Sequence, residues 1–410
     1  MNCRHCASAL HDPGNVFVDL GTAPPSNAFL TPAQLGQPET HFPLKVFTCP
    51  ECFLVQVDEV QHHAALFSPD YVYFSSYSAS WLAHAKRYVD AVVPGLGLNR
   101  QSLVMEVASN DGYLLQYMLQ AGVPSVGVEP TESTAAVARQ RGIESIGEFF
   151  GRDFACRFAR QRRLVDLLVA NNVLAHVPDI NDFVAGIAEV LAPAGAASIE
   201  FPHLLQLVRH GQFDTIYHEH FSYLSLHTVQ RIARGAELAV WDVEELPTHG
   251  GSLRVWLQHA SHPRAATERV HALLAVEREA GMLQPSFYEG FQRRCEATKD
   301  ALLSFLIEQK NAGRSVVAYG AAAKGNTLLN YAGVRPDLLP YVVDASPHKQ
   351  GRFLPGSRIP VLSPERLLEL RPHFILILPW NLREEVTTQL APAREWGAKF
   401  VTAVPRLRIW

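Results

Sequence analysis

Between Asp214 and Tyr223 the chain gathers Tyr217, His218, Glu219, His220 and Tyr223, so two imidazoles, a carboxylate and two phenols fall within seven positions. Histidines that grip one metal from a helix stand four apart. His218 and His220 stand two apart and on a helix would diverge. Proton transfer suits the set better, because a histidine beside Glu219 and near Tyr217 can be held near neutral pKa and aimed at a proton. A purely structural polar cluster is the competing reading. His176 is the second candidate base, just past an apolar run and so at the ligand-binding edge of a parallel sheet. The phenol of Tyr71 is the third; it opens Tyr71-Val-Tyr73-Phe-Ser-Ser-Tyr77, a stretch readable as a lid over a ligand or as an aromatic latch.

A second chemistry begins the chain. Cys3-Arg-His-Cys6 and Cys49-Pro-Glu-Cys52 supply four thiolates, the set for a closed tetrahedral structural zinc site with no open catalytic position. Pro24, Pro25, Pro32, Pro38 and Pro43 make the insert between them loop-like, with a strand over Leu44–Thr48.

A third constellation has the grammar of a nucleotide site. Leu103–Val107 reads as a strand, and Ser109, Asn110, Asp111 and Gly112 as a turn, with Tyr113 leading into a helix. The next strand ends on Glu129-Pro130, about 20 residues on, where a carboxylate accepts ribose hydroxyls. A third run ends on Asn171-Asn172. A dinucleotide needs three loop glycines, whereas this loop has one, beside an acid that would repel phosphate. S-adenosylmethionine (SAM) carries an ammonium and a sulfonium and no phosphate, so it fits better than NAD. Glu106 and Tyr77 complete the candidate cofactor set.

Near the C-terminus a strand over Ser315–Tyr319 runs into Gly320-Ala-Ala-Ala-Lys324-Gly-Asn326 and a helix. Small residues let backbone N–H groups approach a phosphate, and Lys324 adds a point charge. The spacing is not that of a Walker A loop. Tyr319, Gly320, Ala321, Lys324, Asn326 and the strand-ending Asp344 are the candidate substrate contacts; tight strand–helix packing is the alternative.

The elements that must position these groups follow from periodicity. Helices are expected over residues 81–92, 179–191 and 226–235, and a closing hairpin over 238–243 and 251–257 around a flexible polar turn, Pro247–Ser252. Residues 261–312 read as a charged helical connector broken at Pro263 and Pro285. The division is 1–70, 71–260 and 261–410. With 410 residues, 48% hydrophobic and 19% charged, the chain is of ordinary globular composition. A net charge of −4 gives no reason to expect nucleic acid. No apolar run approaches a membrane span and the first residues are no signal peptide, so a cytoplasmic protein is expected; the expectation for its assembly is a monomer.

Together these motifs resemble the SAM-dependent nucleotide-sugar C-methyltransferases that make branched deoxysugars. The resemblance runs through both cysteine pairs, the Tyr71–Tyr77 stretch, Glu106–Gly112, Asn171–His176, Tyr217–His220 and Tyr319–Asn326. It implies an α/β fold: a Rossmann-like class I SAM methyltransferase core, a small N-terminal zinc-binding domain and a C-terminal Rossmann-like domain. It also implies a thymidine-diphospho-4-keto-deoxyhexose substrate, methylated next to the ketone at C-3. His220 would take the carbon-bound proton, Tyr217, Glu219 and His176 would surround the sugar, and the Tyr71 region would close over it. The C-terminal unit would hold the nucleotide diphosphate. The chemistry agrees: a C–H bond yields to a histidine when an adjacent carbonyl takes the charge as an enolate. An O- or N-methyltransferase, an NAD enzyme on a nucleotide sugar, or a zinc-bearing binding module remain the other classes.

Overall fold

The computed structural model describes residues 1–60, 74–262 and 264–410, so Tyr71, Tyr73 and Pro263 lie outside the described residues. Three sheets organise the described residues. The central sheet is built on β4 (Val104–Val107), β5 (Ser125–Val128), β6 (Glu144–Ile146), β7 (Val165–Asn171), β8 (Leu191–Pro202), β10 (Leu238–Leu246) and β11 (Ser252–His259). Its order is β10-β11-β8-β7-β4-β5-β6, with β4 to β8 parallel and β11 antiparallel to both neighbours. Chain direction across the sheet reverses between β4 and β7, and ligands bind outside the carboxyl ends of strands at such a point. The strands have few polar residues because both faces are covered; Met105, Val107, Leu168, Ala170 and Val126 pack under helices 152–161 and 180–190.

A second sheet, parallel except for its last strand, follows the helices Glu268–Glu279 and Phe291–Asn311. It contains β12 (Val316–Tyr319), β13 (Val342–Val343), β14 (Val361–Leu362), β15 (Phe374–Ile377), β16 (Lys399–Thr402) and β17 (Arg408–Ile409), in the order β14-β13-β12-β15-β16-β17. Its own reversal lies between β12 and β15.

The N-terminal sheet corrects one expectation. The proline-rich insert is not simply loop: β1 (Val16–Ala23) pairs antiparallel with β2 (Phe42–Thr48), which pairs with β3 (Val55–Val57). Register shifts at Val16/Val18 and Asp19/Thr22 break the alternation that would have announced β1. The fourth strand, β9 (Ser222–Tyr223), comes from far along the chain, with Val55 opposite Tyr223 and Gln56 opposite Ser222. The Tyr217–His220 stretch is thus fixed by a strand belonging to the zinc module. The turn expected to be flexible at Pro247–Ser252 is also a packed junction. A Cβ on Gly250 would lie 2.4 Å from Trp380 and 2.7 Å from Gln212.

Among the described residues, no helix is long and apolar enough to cross a membrane.

Candidate active site

One cavity of about 380 Å³ is lined by all three units. From the central sheet come Asn110, Tyr113, Glu129, Pro130, Asn171, Asn172 and His176; from the polar stretch come Thr215, Tyr217 and His220. The second α/β unit adds Ala322, Ala323, Lys324, Lys349 and Asn381, and the N-terminal module adds Asn27.

At its centre the tautomer of His220 is set by its partners. Nδ1 lies 2.8 Å from the carbonyl oxygen of Thr215, which only accepts, so Nδ1 carries the proton. Nε2 then presents its lone pair and accepts from Tyr217 Oη at 2.7 Å. Burial first, then the nearby His176, pushes the His220 pKa well below the ordinary histidine value, so the ring rests neutral. The expected near-neutral pKa is therefore not found. Nor does Glu219 orient His220: its Oε1 accepts from Asn27 Nδ2 at 3.2 Å. His218 is turned away too, donating from Nε2 to the Pro43 carbonyl at 3.2 Å. His176 meets His220 edge to face with centroids 4.5 Å apart.

Along the cofactor edge, Glu129 accepts from the Asn110 amide at 2.9 Å and the Thr131 amide at 2.8 Å. Gly112 sits at φ +77, and a Cβ there would come 2.3 Å from Ile143, so glycine answers both the turn and the packing. Ser109 closes against Gly127 of β5, where a Cβ would be 2.2 Å from Ser109 Oγ. Asp111 faces away from the cavity, accepting from Ser76 and lying 3.6 Å from Arg141. Asn110 Oδ1 accepts from the Ser75 amide at 2.9 Å, so the loop clasps the segment before helix 79–95. Glu106 is buried within β4, where burial holds its carboxyl well above the usual range. Tyr77 is 60% exposed and meets His348 at 3.3 Å, outside the cavity wall.

The donor set fits SAM. Asn171 and Asn172 line the cavity, and their buried Oδ1 atoms have no partner among the described residues, as acceptors awaiting an ammonium would. Among the described residues, the lysines that line the cavity, Lys324 and Lys349, both come from the second α/β unit, and Arg141 beside the first loop is not part of its lining.

In the second unit, Lys324 donates to Asn381 Oδ1 at 2.7 Å and lies over the Trp380 ring at 4.9 Å. Lys349, which sequence reasoning missed, donates to the Ala321 carbonyl at 2.8 Å. Gly320 has φ +90, and a Cβ on it would strike Pro379 at 2.5 Å. Asp344 braces this loop, accepting from the Ala321 amide at 2.7 Å. Tyr319 bonds Gln389 at 2.9 Å, and Asn326 donates to the Ser26 carbonyl at 2.6 Å. Those three, with Gly320 and Ala321, stand behind the cavity wall instead of on it. His249, Trp81 and Asn381 were also missed. A histidine before two glycines at a hairpin tip was the available signal for the first.

The cysteine sulfurs of Cys3, Cys6, Cys49 and Cys52 all lie within 4.8 Å of one another, with Cys3–Cys52 and Cys6–Cys49 each at 3.5 Å. A tetrahedral Zn–S₄ centre with bonds of about 2.3 Å requires sulfurs roughly 3.8 Å apart, so the set fits zinc.

Sheet order, a single-glycine first loop, an acid-tipped second strand and the Cys₄ cluster define a SAM-dependent methyltransferase with a zinc-binding domain. Comparison with known proteins narrows this. Residues 3–67 match a zinc binding domain, 81–243 a methyltransferase domain and 247–405 a C-methyltransferase C-terminal domain. The chain is 34% identical to the C-methyltransferase NovU of Streptomyces niveus over 407 residues, covering 99% of this chain and 96% of that one. A ubiquinone biosynthesis O-methyltransferase of Chelativorans sp. is 29% identical over 114 residues, 28% of this chain and 44% of that one. Magnesium protoporphyrin IX methyltransferase of Synechocystis, solved with SAM, is 14% identical and covers 44% of this chain and 81% of that one, at a TM-score of 0.33. The chain belongs to the C-methyltransferase family and is a SAM-dependent C-methyltransferase.

Proposed function

We propose that the substrate is a thymidine-diphospho-4-keto-deoxyhexose, methylated at C-3 after His220 removes the proton on that carbon. One observation carries this reading: a single cavity joins Asn110 and Glu129, through His220 and Tyr217, to Lys324 and Lys349. Two lysines beside a helix start at Ala323 suit a diphosphate, and a neutral imidazole whose Nε2 lone pair accepts from the phenol of Tyr217 suits a carbon acid. SAM supplies an electrophilic methyl group. The chain's residues hold the sugar between the lysines and His220, with Tyr217 donating to Nε2 until substrate takes its place. Asn27, beside Glu219, adds a polar contact from the N-terminal module.

Incubation with SAM and a panel of 4-keto nucleotide sugars, read by mass and by NMR of the product, tests this. A new carbon–carbon bond next to the ketone is expected. Methyl on oxygen or nitrogen, or no turnover with any 4-keto sugar, would overturn it.

A further inference from the structure

Resting on that reading, we propose that His249 is a further catalytic residue: a neutral imidazole whose Nδ1–H stabilises the oxygen of the enolate that His220 generates. His249 lines the same cavity as His220. Asn172 Nδ2, a group that only donates, lies 3.2 Å from His249 Nε2, so that nitrogen accepts and the ring proton sits on Nδ1. Nδ1 has no hydrogen-bond partner among the described residues. Burial, then Lys324, pushes the ring's pKa down to about 4, so it stays an uncharged donor.

The backbone reinforces this. His249 has φ +55, and Asn172 opposite it has φ +56. Ala108 and Asn110, also left-handed, line the cavity too, so four of the nine such non-glycine residues described gather there. Unfavourable conformations that persist mark sites where position matters. The turn is pinned from every side: Gln212 donates to the Gly250 carbonyl at 2.8 Å, Ser252 to the Thr248 carbonyl at 2.9 Å, and Thr248 to Glu200 at 3.0 Å. Trp81 packs on the imidazole with centroids 5.4 Å apart. A hairpin tip needs no imidazole for folding, yet this one is pinned in the cavity that His220 also lines.

In the step proposed, the C–H bond breaks and its proton goes to His220 Nε2. Its electron pair forms the carbon–carbon double bond, and the carbonyl π pair moves onto oxygen. His249 donates a hydrogen bond there without giving up its proton.

The test is deuterium exchange from solvent into a 4-keto-6-deoxyhexose nucleotide in the absence of methyl transfer, with melting temperature and SAM affinity measured alongside. Loss of one such donor costs about 10²–10³-fold. H249F is expected to slow exchange at saturating substrate by that factor, with SAM affinity kept. H249N, which tolerates the left-handed backbone and retains an amide donor, should fall between H249F and wild type, and it decides the matter if H249F does not fold. Wild-type-like exchange in either variant overturns the role, as does loss of exchange in K324A at saturating substrate with H249F unaffected. No exchange by the wild-type enzyme with any 4-keto sugar would instead overturn the substrate reading, and this inference with it.

Discussion

His176, at the end of β7, meets His220, from the loop before β9, edge to face at 4.5 Å. The two candidate bases are therefore neighbours, and the tautomer separates them. His176 hydrogen-bonds the Glu219 backbone, whereas His220 donates its Nδ1 proton to the Thr215 carbonyl and turns its Nε2 lone pair to a phenol. H220N is expected to lose about 10²–10⁴-fold in turnover and in solvent exchange, with SAM affinity kept. A His176 variant that stops exchange while H220N exchanges normally would transfer the role to His176.

Acid should destabilise the fold before it touches surface carboxylates. Burial holds His176 and His249 down to about 4, against 6.5 for the unfolded chain. Between those values the unfolded state binds more protons, so stability present above pH 6.5 is lost as pH falls toward 4. Melting temperature followed over this range should drop. Conservative replacement of either histidine by asparagine should flatten the drop, and an unchanged slope would show that neither ring is neutral in the fold.

Glu129 accepts two backbone amides yet still lines the cavity. Glu129→Ala is expected to weaken SAM binding by about 1–3 kcal/mol, the scale of losing a hydrogen bond to a charged group. Calorimetry checks this, and preferential binding of NAD would contradict it.

What could be read in advance was local. Leu103 to Leu115 announces its strand, turn and helix because adjacent residues carry the pattern, and the cysteine pairs announce zinc because the ligands come two by two. What could not be read joins distant chain. β9 is two residues long and finds its partner across the whole central domain. The carboxylate beside His220 in sequence belongs in space to Asn27, while a carbonyl five residues back does the orienting. Lys349 and His249 reach the cavity from other sheets, and no spacing rule relates them to His220. Asp111 and Asn326 have the right types at the right places, but their side chains hold neighbouring segments and leave the cavity to others.

Lys324 is half-buried, and desolvation lowers its pKa while Asp214 opposes that shift. A cation kept in such a place, bonded to the amide of Asn381 and in no ion pair among the described residues, suits an incoming anion. Lys324→Ala should raise the KM for nucleotide sugar at least tenfold, about 1.4 kcal/mol, with SAM affinity unchanged. If SAM binding weakened and the sugar nucleotide were spared, the two α/β units would have exchanged roles.

The zinc site should control deprotonation more than cofactor binding. Gln56, fully buried in β3, donates to Cys3 Sγ at 3.2 Å and accepts from the Arg4 amide at 2.9 Å. Opposite Gln56 stands Ser222 of β9, two residues beyond His220, and the Val57 amide donates to the Phe221 carbonyl at 3.1 Å. Arg4 adds a tie to the Pro178 carbonyl at 2.6 Å. The cysteine knuckle, β3 and the proposed base thus form one continuous connection, whereas the residues proposed to meet SAM stand at the ends of β4, β5 and β7. Protein purified without added zinc should carry close to one metal per chain. A structural zinc is worth about 10–16 kcal/mol of local folding in small peptides, so Cys49→Ser should unfold the module. The expected signature is lost metal and lost solvent exchange, with SAM still bound by the central unit. Cys49→Ser protein that lacks zinc and yet exchanges at the wild-type rate would show that β9 holds His220 in place without the module.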